Sequence, residues 1–375
     1  MLLTGAKKGK LWKVKLALSL GANIEERNES GQTAFILAAK HYNSAVINYL
    51  FSKGADVEAR DNMGQTAIFY SREEQITQIL INNGAKINIR DRDGCTPLMV
   101  AIGNYTLSSG NSHIEYLVEQ GADVNAKNNN GETALILLAK RGRHTDIGLL
   151  MNESTDSPMG CVSDPPFKCF EILISKGANL NAKSNDGTTV LMSATQDDNS
   201  KLVKFLISKG ADVMSKDNNG NTALMKAIIN CRSVHKEFFV QLYVSCGVDV
   251  NARNNNGDTA LLLEAARKYP DNIFNFLASI GADVNVQNKQ GKTALMLLYR
   301  NNNGATKAFD YLLSVCKNID AKDAKSYTLL MHTAMDCNLE MIEKLAVAGA
   351  DLNITDNEGN TAVLLVAKGR KNEAD

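Results

Sequence analysis

A chain of 375 residues with 44% hydrophobic and 22% charged side chains has apolar matter for a core and too few charges for a disordered polyampholyte. Its 41 Lys and Arg balance 41 Asp and Glu, which argues against wholesale binding of nucleic acid or acidic membranes. Aromatic content of 6%, five prolines and seven scattered cysteines without a CxxC pair favour packed helices over a β-sandwich, a disulfide framework or a structural zinc site.

Along the chain, the opening MLLTGAKKGKLWKVKLALSLGAN couples basic residues to an apolar stretch. Lys13 and Lys15 break that stretch and no small-residue cleavage site follows, so it fits a secretory leader poorly. From Gly21 a tetrad recurs: GANI at Gly21, GADV at Gly54, GAKI at Gly84, GADV at Gly121 and GANL at Gly177. It continues as GADV at Gly210, GVDV at Gly247, GADV at Gly281, CKNI at Cys316 and GADL at Gly349. Ten residues after each stands a second landmark, from GQTAF at Gly31 to GNTAV at Gly359, with SYTLL at Ser326 the one case lacking glycine. The next tetrad usually follows 23 to 27 residues later, a period near 33 that marks a stacked array.

Each recurrent position has a physical reason. SAVINYLFSKG, Ser44 to Gly54, predicts a helix with Val46, Ile47 and Leu50 on one face. The tetrad glycine ends that helix in the left-handed conformation at least cost. Asp or Asn, a β-branched residue and a polar stretch then run extended into a tight turn, which the second glycine closes. The Thr beside it is placed to cap the next helix, with Ala, or Pro97 once, at its first position. One unit is therefore turn, helix, short loop, helix and extended return.

The regularity breaks in four places. Gly64 and Gly84 are only 20 residues apart, which predicts a tight loop around Arg72 to Gln75. Extra residues follow at Gly103 to His113. The 46 residues from Gly131 to Gly177 carry an insertion at about 147–168, which the intact ten-residue offset places between the two helices of its unit. It reads as a tolerated surface loop or as a recruitment loop. Cys316 and Ser326 replace both landmark glycines; if they keep positive φ, each costs on the order of 1 kcal/mol, which predicts a less regular layer there.

The pattern resembles the ankyrin repeat. NESGQTAFILAAKHYNSAVINYLFSKGADVEAR, Asn28 to Arg60, lines up with that family's consensus without a gap. The resemblance covers residues 1–375 as a single array: nine complete units, a leading partial one at 1–27 that opens near the end of a first helix, and a trailing half at 356–375. It implies an all-α fold, an ankyrin-repeat solenoid of helix-turn-helix units with β-hairpin-like turns, about eleven units including partial ends. One departure is systematic. Where the family usually has the His of TPLH, this chain has Ile36, Phe69, Met99, Ile136, Met192, Met225, Leu262, Met296, Met331 and Leu364, which predicts a continuous apolar seam.

Signatures of catalysis do not emerge. The triplet Gly291, Lys292, Thr293 lacks the earlier glycine of a phosphate loop, since Val286 stands there. The five histidines form neither HxxxH nor HExxH, and no GxSxG elbow occurs. No enzyme activity, cofactor or metal is expected.

What the resemblance implies is a protein partner held on the concave face, where turn tips and the ends of first helices lie. By position the candidates are Lys40, His41, Met63, Phe69 and Tyr70, then Asn129, Asn130, Glu132, Lys140 and Arg141. Asn218, Asn219, Asn255, Asn256, Arg267 and Arg300 complete the set. Tyr70 leads, because it is expected beside Lys40 and His41 of the adjacent layer; the competing reading packs it against the next layer. The asparagines are partly a turn requirement. The expected function is a non-catalytic scaffold, with the targeting portion of a larger multidomain effector or regulator as the alternative. The partner is an unidentified protein, with no nucleic acid or membrane, and a monomer is expected. The compartment is not fixed; a cytoplasmic site is expected, with export open.

Overall fold

The computed structural model describes residues 1–104, 112–141, 165–231, 233–267, 273–302 and 307–371. Among the described residues the chain is all-helical, with no strand and two isolated antiparallel bridges, Lys183 with Thr189 and Lys216 with Thr222, each closing one turn. The chain divides into two compact units, Met1–Ala194 with Lys201–Ala211, and Thr195–Ser200 with Asp212–Asp375.

The first unit holds helix pairs at Leu2–Lys7 and Leu11–Ser19, Ala34–Lys40 and Ser44–Ser52, Pro97–Gly103 and Ser112–Glu119, and Ala134–Lys140 and Pro165–Ser175. Between the second and third of these, a 3-10 turn at Ala67–Tyr70 partners the helix Glu74–Asn82. The pair Val190–Gln196 and Ser200–Ser208 contributes residues to both units. The second unit continues with Ala223–Asn230 and Ser233–Ser245, Ala260–Ala265 and Phe274–Ser279, and Ala294–Asn302 and Lys307–Val315. It ends with Leu329–Met335 and Leu339–Val347, then Ala362–Lys371.

Helices this short do not persist alone in water, so packing must hold them. In Ala34–Lys40 every residue from Ala34 to Ala39 is buried, and Val46, Ile47 and Leu50 of its partner helix are fully covered, as the apolar spacing requires. The Thr after the second landmark caps in most units: the Thr33 hydroxyl accepts the Ile36 N–H, and Thr96, Thr222, Thr259 and Thr328 repeat the bond, while Thr66 and Thr133 make none. The ten positions that replace His are buried from Ile36 through Met331, so within each unit they form core. Leu364, in the last helix, is 48% exposed.

The two landmark glycines serve different ends. Gly54 has φ 82 and open space where a Cβ would stand, so its requirement is conformational alone. Gly31 has φ 76, and its Cβ would lie 2.8 Å from the Asn62 backbone nitrogen in the following turn. Successive turns therefore stack so closely that a methyl group does not fit between them.

The structure alters several expectations. The shortened unit takes its deletion out of the first helix, which shrinks to the 3-10 turn Ala67–Tyr70; Glu74 and Gln75 are already helical, so the loop is Ser71 to Glu73. The second helix after the insertion begins at Pro165, four residues before Cys169, and 147–164 lie outside the described residues. So do 105–111 of the extra segment Gly103 to His113. Residues 1–27 hold two short helices, Leu2–Lys7 and Leu11–Ser19, so more of the first helix is present than its end. Ser326 keeps positive φ at 64, and its hydroxyl donates to Asn357 Oδ1 at 2.7 Å. Cys316 abandons the left-handed conformation, and the Lys317 N–H turns to Asn285 Oδ1 at 2.8 Å.

Candidate functional site

The turns are organised by a residue that sequence reading passed over. Three places before each second landmark stands Asn, Asp or, once, Ser. In Asp61 one carboxylate oxygen accepts the N–H groups of Met63 and Gln65, and Asn128, Asp217, Asn254 and Asp323 use the same two bonds. The signal was available, since Asn and Asp fill this column in nine of ten repeats.

One residue further on, the tips are tied to one another. Asn129 donates its amide to the Arg92 carbonyl of the preceding turn at 2.9 Å, and Asn255 does the same to Asn218 at 2.8 Å. The Asn130 carbonyl accepts the Asn185 N–H, Asn219 accepts from Asn255, and Asn256 from Lys289. The side chains of Asn129 and Asn255 are thus spent on the array and that of Asn130 on Glu132, while those of Asn219 and Asn256 face solvent.

At the ends of the first helices the candidates separate. Lys40 Nζ sits 4.9 Å from the centre of the Tyr70 ring, so these two meet across adjacent repeats as anticipated. The Tyr70 hydroxyl donates to Asp61 of its own turn; burial, then this carboxylate, push its pKa up to about 12. Met63 is 54% exposed, and His41 is exposed, its pKa lowered by partial burial and by Lys7 and Lys40. Phe69 is no surface residue: at 5% exposure it belongs to the core, as do Ile36, Met99 and the other residues of its repeat column through Met331. Glu132 is buried and bound by Asn128 and Lys140; burial works to raise its pKa, and these bonds outweigh it.

Two arginines prove structural. Arg141 donates to the carbonyl of Ile102, and Arg267 to that of Ile228 at 3.0 Å, each at the end of the preceding first helix. They fill carbonyls that a helix C-terminus leaves without an intrahelical partner.

Arg300 differs. It is exposed and lines a cleft of about 590 Å³ in the second unit, together with Met296 and Tyr299 of its own helix, His332 of the helix Leu329–Met335 and Asp336 just beyond it. The adjoining turns add Gln290, Lys292, Asp323, Ala324 and Lys325. Lys292 Nζ and His332 Nε2 reach Asp323 Oδ2 at 3.0 and 2.9 Å. Burial would raise the Asp323 pKa, but Lys292, His332 and two backbone N–H groups hold it at about 2. The Tyr299 hydroxyl donates to Asp336 Oδ2 at 2.9 Å. Lys325 escaped sequence reading because the tips were located by their glycines, and Ser326 stands where that glycine would be.

Among the described residues no three His, Cys, Asp or Glu side chains gather as a metal site, and no helix is long and apolar enough to cross a membrane.

The model for ankyrin repeats matches residues 2–91, 71–158, 159–236 and 231–323. The chain belongs to the ankyrin repeat family. Ankyrin repeat protein OPG189 of variola virus is 36% identical over 124 residues, 28% of this chain and 22% of that protein. Ankyrin repeat domain-containing protein 63 of mouse is 40% identical over 70 residues, 19% of this chain and 18% of its own. The chain thus spans less than a quarter of these curated relatives. The crystal structure of the ankyrin repeat domain of Bcl-3, a member of the IkappaB family, is 26% identical with a TM-score of 0.48, covering 60% of this chain and 92% of that one. Ankyrin repeats are protein–protein interaction modules, and this chain carries them from residue 2 to 323.

Proposed function

We propose that this ankyrin chain is a non-catalytic scaffold that holds a partner protein on the face made by turn tips and first-helix ends. The observation that carries this reading is the contrast along that face. At most candidate positions the polar groups are consumed by the array, whereas Arg300 and Lys325 open onto a shaped cleft with no side-chain partner among the described residues. A scaffold that ties up its own turns presents a rigid surface, so little ordering cost falls on binding.

Affinity capture with mass spectrometry tests the reading. A partner retained by the wild type and by Glu340→Ala in the second helix Leu339–Val347, but lost with Lys40→Ala/Met63→Ala or Arg300→Ala, supports it. Equal retention by every variant places the partner elsewhere and overturns it.

A further inference from the structure

We propose that the cleft lined by Met296, Tyr299, Arg300, His332 and Asp336 and by the stacked turns Gln290–Lys292 and Asp323–Lys325 receives an acidic peptide segment of a partner protein, with its carboxylates against Arg300 and Lys325. This rests on the reading that the tip-and-helix face binds protein, and adds the chemistry of the occupant. Both carboxylates lining the cleft are already committed. Asp323 takes Lys292, His332 and the N–H groups of Lys325 and Tyr327, and Asp336 takes the Tyr299 hydroxyl. Lys292 is spent in turn on Asp323. Arg300 and Lys325 are exposed and make no ion pair or side-chain hydrogen bond among the described residues.

An anion entering the cleft therefore meets two cations without displacing an internal partner. The chain as a whole is neutral, 41 basic against 41 acidic residues, so this positive balance is local and acts over about a Debye length, roughly 8–10 Å. Arginine beside an exposed ammonium suits carboxylates, which a guanidinium grips through two parallel N–H bonds. Met296 and Tyr299 give the same cleft apolar lining, and its volume suits a few side chains. Two open cations are too few for a nucleic-acid strand, which gains affinity by engaging a row of phosphates.

A phage-displayed random dodecapeptide library panned on the full chain tests the proposal. The expected outcome is enrichment of sequences with two or more Asp or Glu. Binding of the synthetic consensus peptide should fall at least about tenfold on Arg300→Glu/Lys325→Glu and weaken as salt is raised. Both side chains are exposed, so circular dichroism should report an unchanged melt; if it does not, Arg300→Gln/Lys325→Gln replaces the reversal with the same expectation. Absence of enrichment, enrichment of peptides without acidic residues, or equal binding by the variants overturns the proposal. So does tighter binding of a fluorescein-labelled oligothymidine through these two residues. If the peptide arm fails while Lys40→Ala/Met63→Ala still loses a captured protein, the binding face stands and the acidic cleft falls.

Discussion

Lys236 Nζ lies 2.9 Å from Glu264 Oε2, and neither side chain has any exposed surface. The pair joins the second helix of one repeat, Ser233–Ser245, to the first helix of the next, Ala260–Ala265, with Arg267 3.6 Å from the same oxygen. Removing one partner strands a charge in the core. Glu264→Ala should cost about 3–5 kcal/mol in urea unfolding, whereas Lys236→Met/Glu264→Leu should recover most of that loss, because apolar side chains carry no desolvation penalty. A double variant as weak as the single one would show that the pair is a net source of stability.

The glycines predict an unequal pair of substitutions. Gly54→Ala meets only the left-handed backbone and should cost about 1–2 kcal/mol. Gly31→Ala adds a clash with the next turn at Asn62 and should lower the melting temperature clearly further. Equal shifts in parallel thermal melts would refute the stacking argument.

Lys40 and Tyr70 supply a double-mutant cycle. Tyr70→Phe keeps the ring under Lys40 but loses the bond to Asp61, so it should cost about 1–2 kcal/mol. Lys40→Ala and Tyr70→Ala should couple by about 0.5–1 kcal/mol, the worth of an exposed cation over an aromatic face. A coupling of zero would leave the contact energetically idle.

Asp323 links stability to pH with a definite sign. Its folded pKa of about 2 lies below the ordinary 3.8, so its contribution is fully present above about pH 4 and disappears as pH falls through 2. After allowance for solvent screening the effect is about 1–2 kcal/mol. Asp323→Asn should therefore be weaker than wild type at pH 6, with the gap in urea midpoint closing toward pH 2. A gap constant across that range would show that Asp323 does not titrate as the geometry requires.

The repeat register was legible because its requirements are local. A left-handed residue must be glycine at least cost, a Thr hydroxyl caps a helix starting one residue later, and an apolar stripe must face a neighbour. Those rules placed Val46, Ile47 and Leu50 in the core and brought Lys40 to Tyr70. The same locality limited the reading of the shortened unit, since a deleted stretch can be absorbed by a loop or by a helix, and packing took the helix.

What tertiary structure alone decided was how each polar side chain is used. Lys40, Lys140 and Arg300 share one column, nine residues after the second landmark, yet the first lies over Tyr70, the second pairs with Glu132 and the third opens onto a cleft. Asn129 and Asn130 are neighbours of one kind, and only the first spends its amide on the turn before. Periodicity fixes which residues share a face, because it follows from backbone geometry. Whether a polar group on that face finds a partner depends on atoms a full repeat away, and on the few ångströms that stacking leaves between them.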